Sequence, residues 1–342
     1  MHRCKVFLAA CLLVMMLSAC SSPIPELTSV HEYSVITIPL AGPLANRNAE
    51  ISGLAWYGDR LIILPQYPSF FTRSGDSTVF ALPKADIVAF LDGTITGPLK
   101  PVPIPFIAPG LAAEIDGFEG YEAIAFRGDQ AFLTIEAATK ESMKGYLVSG
   151  SIAPDLSGLT LDTAIVVQIE SQSAVGNKSD EALLIAGDTL VTIHEANGVG
   201  INASPVAHLF DVLLTPAGTI PFPSIEYRIT DATALDNNHR FWAINYFFPG
   251  EGELLPETDP LADHYGEGPT HIQYEHVERL VEFQYSDLGI RLIDSPPIQL
   301  ELLPDEPRNW EGLVRLDDRG FLLTTDKFPK TILGFVALPN DR

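Results

Sequence analysis

An all-β fold, specifically a five-bladed β-propeller closed by an N-terminal strand, is what this sequence predicts, and three observations predict it. Long helical periodicities are hard to find. Short β-branched and aromatic runs, separated by Gly, Pro, Asn and Asp, recur throughout, as at 35–40, 61–64, 132–135, 190–193, 241–244 and 321–324. Most telling is an internal repeat. Segments starting at Ser52, Glu122, Glu181, Asp231 and Glu311 align without gaps over their first half, and the last carries one extra residue.

Each repeat opens on a polar residue and then a small one: Gly53, Ala123, Ala182, Ala232 or Gly312. An alternating apolar strand, a turn of Gly, Asp or Asn, and a second strand follow. The unit ends on another polar residue: Gln66, Glu136, Glu195, Asn245 or Asp326. The starts lie 70, 59, 50 and 80 residues apart, spacings that suit four-stranded blades with variable loops. The hairpin supplies the two inner strands of each blade, and weaker runs such as 145–151 and 164–169 supply the outer ones. After the last hairpin only the run 332–338 remains, so 33–40 is expected to complete that blade and close the ring. A stacked β-sandwich or two domains is the competing architecture. A sixth blade inside the 80-residue interval is another, but residues 249–270, rich in Pro, Gly and acid, read better as a surface insertion. One domain is expected over 33–342.

The N-terminus reads as a lipoprotein signal over residues 1–19. His2, Arg3 and Lys5 form a basic head, and residues 6–17 are almost wholly apolar. That stretch is shorter than the roughly 20 residues a bilayer span needs, and fits an export signal. It ends in Leu17-Ser18-Ala19-Cys20, a lipobox-like sequence whose cysteine would carry the lipid. Residues 20–32 then form a tether. Ser21 follows the cysteine, so the outer membrane of the cell envelope is the expected destination. Cys4 and Cys11 fall within the signal, so the mature chain has no pair of thiols for a disulfide.

From Cys20 onward there are 19 basic and 44 acidic residues, a net charge of −25. Such a surface repels nucleic acid and anionic membranes and favours cations. A monomer touching the membrane through its lipid alone is expected.

In a propeller, equivalent positions on the innermost strands surround the axis. Ser52, Glu122, Glu181, Asp231 and Glu311 would therefore converge at one mouth of the channel. Carboxylates so crowded must protonate or bind a cation, and an oxygen-only donor set suits Ca²⁺, with Mg²⁺ the alternative. A hairpin returns its chain to the face it left, so Gln66, Glu136, Glu195, Asn245 and Asp326 should form a second tier there. Of these, Glu136, Glu195 and Asp326 are the candidates to act on water or substrate. The plain alternative is that these polar residues accept backbone N–H groups between blades. Three residues before the first polar position stand Lys178, Arg228 and Arg308, with Ala49 and Glu119 at the remaining repeats; the cations would clamp an anionic, typically phosphate-bearing, substrate.

The segments ISGLAW (51–56), GFEGYEAIAF (117–126), NKSDEALL (177–184), ITDATALDNNHRFW (229–242) and NWEGLVRLDDRGFLLTTDKF (309–328) resemble successive motifs of the phytase-like propellers, a family named for an esterase-like activity of phytase. The resemblance spans about 50–338 and implies a secreted or envelope propeller with phosphoester or ester hydrolysis. The chain departs from that pattern at Pro65 and Gln66, where the family tends to an acidic residue, and at Asn245 and Tyr246, where it tends to an arginine; Asp326 is retained. The Ser-Glu-Glu-Asp-Glu ring is also similar in layout to calcium-activated nucleotidases of the apyrase family.

No G-x-S-x-G elbow, P-loop, H-E-x-x-H or dinucleotide fingerprint occurs, which argues against the common serine hydrolases. Asp263, His264, His271, Glu275 and His276 in and beside the insertion form a weaker candidate for Zn²⁺. Two classes of function follow: a metal-dependent hydrolase, or a non-catalytic envelope propeller that binds a protein, peptide or glycan.

Overall fold

A computed structural model describes residues 30–72, 77–139, 143–176, 178–304 and 306–339. The signal, Cys20 and most of the tether lie outside them. Among the described residues no helix is long and apolar enough to cross a membrane.

The fold is all-β and of propeller type. Antiparallel runs of strands follow one another along the chain. The first run is Ile51–Tyr57, Arg60–Pro65, Ser77–Pro83 and Val102–Ile107, with a helix at Lys84–Leu91. The second is Phe118–Arg127, Gln130–Ala138, Met143–Ile152 and Leu159–Ile169; the third is Asp180–Ala186, Thr189–His194, Val206–Asp211 and Pro216–Pro221. The fourth begins with Arg228–Ala232, Arg240–Phe247 and Val277–Ser286, whose outer edge pairs with Gly289–Leu292 at one end and Ile298–Leu300 at the other. Trp310–Leu316, Gly320–Thr325 and Leu333–Ala337 make the last. The opening strands of successive runs pack side by side, and Trp310–Leu316 packs back against Ile51–Tyr57, so the circuit closes.

The repeated hairpins have a repeated turn. Gly58, Gly128 and Gly187 adopt φ of 58°, 57° and 64° at its tip, where His239 and Asp317 accept the same left-handed conformation in the later repeats. Strand residues alternate between neighbours. Leu61 and Ile63 join the apolar cluster shared with the last run, whereas Ile62 and Leu64 join the cluster shared with the second. The same division separates Ile244 from Phe241 in the fourth run. The core therefore lies between runs, and a strand buried on both faces reads as a continuous apolar stretch.

The N-terminal segment closes the circuit differently from the expectation of one strand over 33–40. Only Ile36–Ile38 pairs with Leu333–Ala337. Glu32–Tyr33 pairs in parallel with Ile298–Leu300 of the run before, and Leu40 bridges to Leu99 in the first run. One short segment thus laces three runs together. Its first strand is held by side chains: the Glu32 carboxylate accepts from His271 Nδ1 at 2.8 Å and from Thr270 Oγ1 at 2.7 Å. These partners belong to the helix Pro269–Gln273, which starts at the end of the expected insertion; the helix Pro260–Tyr265 lies within it.

Ile38 is fully buried between the last and first runs. Ile38→Ala should cost roughly 2–5 kcal/mol. Because the segment joins three runs, urea unfolding followed by circular dichroism and by tryptophan fluorescence should shift together. An early transition seen by one probe alone would show that the circuit is not one cooperative unit.

Candidate functional site

All the opening strands are irregular at the same place. The ladder shifts register between Ile51 and Gly53, Tyr121 and Ile124, Asp180 and Ala182, Ile229 and Ala232, and Trp310 and Gly312. Each ring residue therefore sits on a bulge, which frees its side chain from the strand's alternation. The small residue that follows is a packing requirement. A Cβ on Gly53 would stand 3.0 Å from the Glu122 carbonyl oxygen, and one on Gly312 would stand 2.5 Å from Thr324 Cγ2.

Ser52, Glu122, Glu181, Asp231 and Glu311 are all buried, but they divide by task. Ser52 Oγ donates to the Tyr121 carbonyl at 2.6 Å, and the Asp231 carboxylate accepts from the backbone N–H of Ala232 and Leu313, each at 2.7 Å. Those two stitch neighbouring runs together, as the plain reading of the ring has it. Glu122, Glu181 and Glu311 line a cavity of about 210 Å³ with Gln66, Glu136 and Asp326, and Ser52 borders it too. Asp231, Glu195 and Asn245 lie outside its lining. Asn245 donates to the carbonyls of Glu226 and Arg228 and accepts from Arg279 Nε at 2.7 Å, a structural role.

The basic clamp is not formed. Arg228 is buried among the acids. Its Nη2 lies 3.3 Å from Glu311 and 3.5 Å from Glu181, its Nε donates to Glu195, and its Nη1 donates to the Tyr246 hydroxyl. Lys178 Nζ lies 3.0 Å from Glu251 and 3.7 Å from Glu195. Arg308 is not part of the cavity wall: it pairs with Glu278 at 2.7 Å and donates to the Glu301 carbonyl at 2.6 Å. A buried cation must be compensated, and each of these has taken a carboxylate of the chain itself.

Among the described residues no three His, Cys, Asp or Glu side chains stand close enough together to hold a metal ion. The five-ligand cation ring is accordingly corrected: Ser52 and Asp231 serve the backbone, and a guanidinium stands between Glu181 and Glu311. The Zn²⁺ candidate likewise dissolves into separate contacts. His271 binds Glu32, His276 lies 3.9 Å from Glu278, and His264 is exposed beside Asp294.

The cavity is short of positive charge. Burial, then the charges of Glu136, Glu181 and Glu311, holds Glu122 well above the ordinary range. Burial, with Glu181 beside it, raises Glu136 to about 7. Burial also raises Glu181 and Glu311 despite the opposing charge of Arg228. Buried oxygens of Glu136, Glu181 and Glu195 have no hydrogen-bond donor. Tyr67, Glu119, Asn309 and Lys327 are also in the wall. Glu119 was visible in the sequence as the acidic exception at the position of the clamp; Tyr67 carried no signal beyond following Gln66.

No protein-family model matches the chain, and no curated protein matches it. Among solved structures it is similar to a glycosyl hydrolase from Bacteroides ovatus (12% identity, TM-score 0.46, 94% of this chain and 93% of that one). It is also similar to the catalytic domain of an α-L-arabinofuranosidase from Coprinopsis cinerea (7%, 0.46, 89% and 96%) and to an endo-arabinanase from Bacillus licheniformis (11%, 0.45, 87% and 96%). At such identities these likenesses say nothing of activity.

Two outcomes follow from this electrostatic arrangement. Arg228→Met should destabilise the fold by about 3–5 kcal/mol, because it leaves Glu195 and Glu181 buried without their cation; chemical denaturation measures this. The raised carboxyls bind protons in the folded protein that the unfolded chain releases. Their stabilisation is complete below about 4.5 and is lost as pH rises through about 7. In chelator, the melting temperature should therefore fall between about pH 5 and 7, and Glu136→Gln should flatten that slope.

Proposed function

We propose that this chain is a lipid-anchored protein of the bacterial envelope, a single five-bladed β-propeller over residues 33–342, whose axial cavity performs acid–base hydrolysis. The observation that carries this reading is the polar cavity lined by Glu122, Glu136, Glu181, Glu311 and Asp326 with Arg228 as their internal counter-ion. Carboxyls in one cavity with different neighbours can hold and release protons at different pH, as general acid–base catalysis requires. Glu136, raised to about 7, is the group to exchange a proton near neutrality, and Glu122 the group to keep one. The substrate class is uncharged and oxygen-rich. A phosphate monoester would meet a net negative wall whose arginine is already engaged, so the phosphoester reading is the less favoured form of hydrolysis.

A second reading keeps a divalent cation, Ca²⁺ or Mg²⁺, in this cavity. A donor-less oxygen of Glu136 favours it, and water would have to complete the coordination, because among the described residues no three His, Cys, Asp or Glu side chains are close enough to hold the ion. A non-catalytic propeller that presents the same face to a protein or glycan is what remains if both fail.

A panel of chromogenic glycosides, carboxyl esters and phosphomonoesters, run with Ca²⁺, with Mg²⁺ and with chelator, tests these readings together. Glu136→Gln and Glu122→Gln should each lower kcat/KM on the best substrate by about 10²–10⁴-fold, with no chelator effect if protons alone are used. A panel without turnover, with no calcium-dependent rise in melting temperature, would leave the binding role. For the anchor, Cys20→Ser should abolish incorporation of a fatty-acid label, and undiminished labelling would contradict the lipoprotein assignment.

A further inference from the structure

The third run holds a second constellation that the axial cavity does not use. Ser173 lies on the loop before Asp180–Ala186, and its Oγ is 3.0 Å from His194 Nε2. His194, at the end of Thr189–His194, is wholly buried, and its Nδ1 lies 3.3 Å from Asp180 Oδ1. Asp180 is buried too, and its other oxygen accepts from Thr192 Oγ1 and from His208 Nδ1. The Asp180 carboxylate faces the Nδ1 proton of His194; in the neutral imidazole Nε2 is then the acceptor for the Ser173 hydroxyl.

The serine is held as well as paired. Its neighbour Gln172 imitates a strand residue against Val206: Gln172 Nε2 donates to the Val206 carbonyl at 2.9 Å, and its Oε1 accepts the Val206 N–H at 3.0 Å. Asn202 Nδ2 donates to the same Oε1 at 3.2 Å. Ser173 itself is partly exposed, while its base and orienting acid are sealed beneath it. A buried polar cluster that only braced the sheet would not need a hydroxyl presented at the surface.

We infer that Ser173, His194 and Asp180 form a nucleophile–base–acid triad for acyl transfer from an uncharged or cationic carboxylic ester. The roles follow from geometry and not from a sequence motif, since the arrangement recurs on unrelated folds. Ser173 Oγ forms the bond to the ester carbonyl carbon while its proton passes to His194 Nε2. The carbon–alkoxy bond breaks, and the alcohol leaves with that proton. Water then repeats the sequence, giving the acid and free Ser173. Asp180 orients the imidazole and stabilises its charged form. The strongly acidic surface excludes anionic esters.

The test is covalent labelling of the full chain in detergent by a fluorophosphonate probe, with the adduct located by mass spectrometry. A single adduct on Ser173 is expected, absent in S173A and unchanged in S69A, an exposed serine of the first run. D180N should slow labelling on the order of 10³–10⁴-fold, as loss of the orienting carboxylate does in such triads. Absence of an adduct on protein that melts cooperatively would overturn the triad, as would an adduct on another residue or one that persists in S173A. If D180N does not fold, the S173A and S69A pair still decides. The result does not depend on the axial acids, whose test reads turnover in E136Q and E122Q.

Discussion

Charge compensation at the axis is the constraint on which this protein rests. The opening strands approach so closely that a Cβ at residue 53 would press on the Glu122 carbonyl, and one at residue 312 would press on Leu54 and clash with Thr324. Bulges turn Glu122, Glu181 and Glu311 into the space that remains. Carboxylates confined there must be neutralised by protons, by a cation, or by the chain itself. Arg228 supplies the last of these. Its guanidinium reaches Glu181, Glu195 and Glu311 and stacks 4.8 Å from the Tyr246 ring. Replacing such a network with apolar residues often costs little, but removing one member costs much. Asn245 is part of the same device, because its amide fixes the Arg228 carbonyl.

The repeated hairpin was legible in the sequence because its two apolar faces, its turn and its polar ends recur in register. The division of labour among the ring residues was not. Ser52 and Asp231 occupy the same position as Glu122, yet their side chains are short and bond backbone groups: Ser52 Oγ, at the edge of the cavity, donates to the Tyr121 carbonyl, and Asp231, outside it, accepts from the Leu313 N–H. The basic positions were legible as an offset but not as partners. Lys178 and Arg308 are compensated by Glu251 and Glu278, which lie 73 and 30 residues away in sequence. The N-terminal strand was expected whole; Ser34 and Val35 separate it into two pairings with different runs.

The insertion does more than decorate the fourth run. Glu251, at its start, helps to neutralise Lys178 from across the third and fourth runs. His271, one of the candidate zinc residues, binds Glu32 and so holds the N-terminal lace. The apparent zinc cluster and the apparent phosphate clamp have one explanation: buried ionisable side chains in a strongly acidic chain are consumed by internal pairing, and sequence proximity does not reveal the partner.

The third run concentrates both chemistries because strands alternate. Glu181 belongs to the axial cavity, and Glu195 reaches Arg228 just beneath it. Their chain neighbours Asp180 and His194 belong to the cluster beneath Ser173. Two adjacent strand ends therefore serve two environments from consecutive residues. The register shift between Asp180 and Ala182 is what lets both acids sit at one strand end. The two environments differ in what limits them. In the axial cavity one oxygen each of Glu136 and Glu181 lacks a hydrogen-bond donor, so the state of those acids depends on the proton or cation that enters. Asp180 has a full complement of donors, so its state is set by the fold. A site of the first kind responds to the medium, and one of the second kind is preorganised for a fixed step. The hairpin of the third run is placed to carry both, with the other runs closing the wall around it.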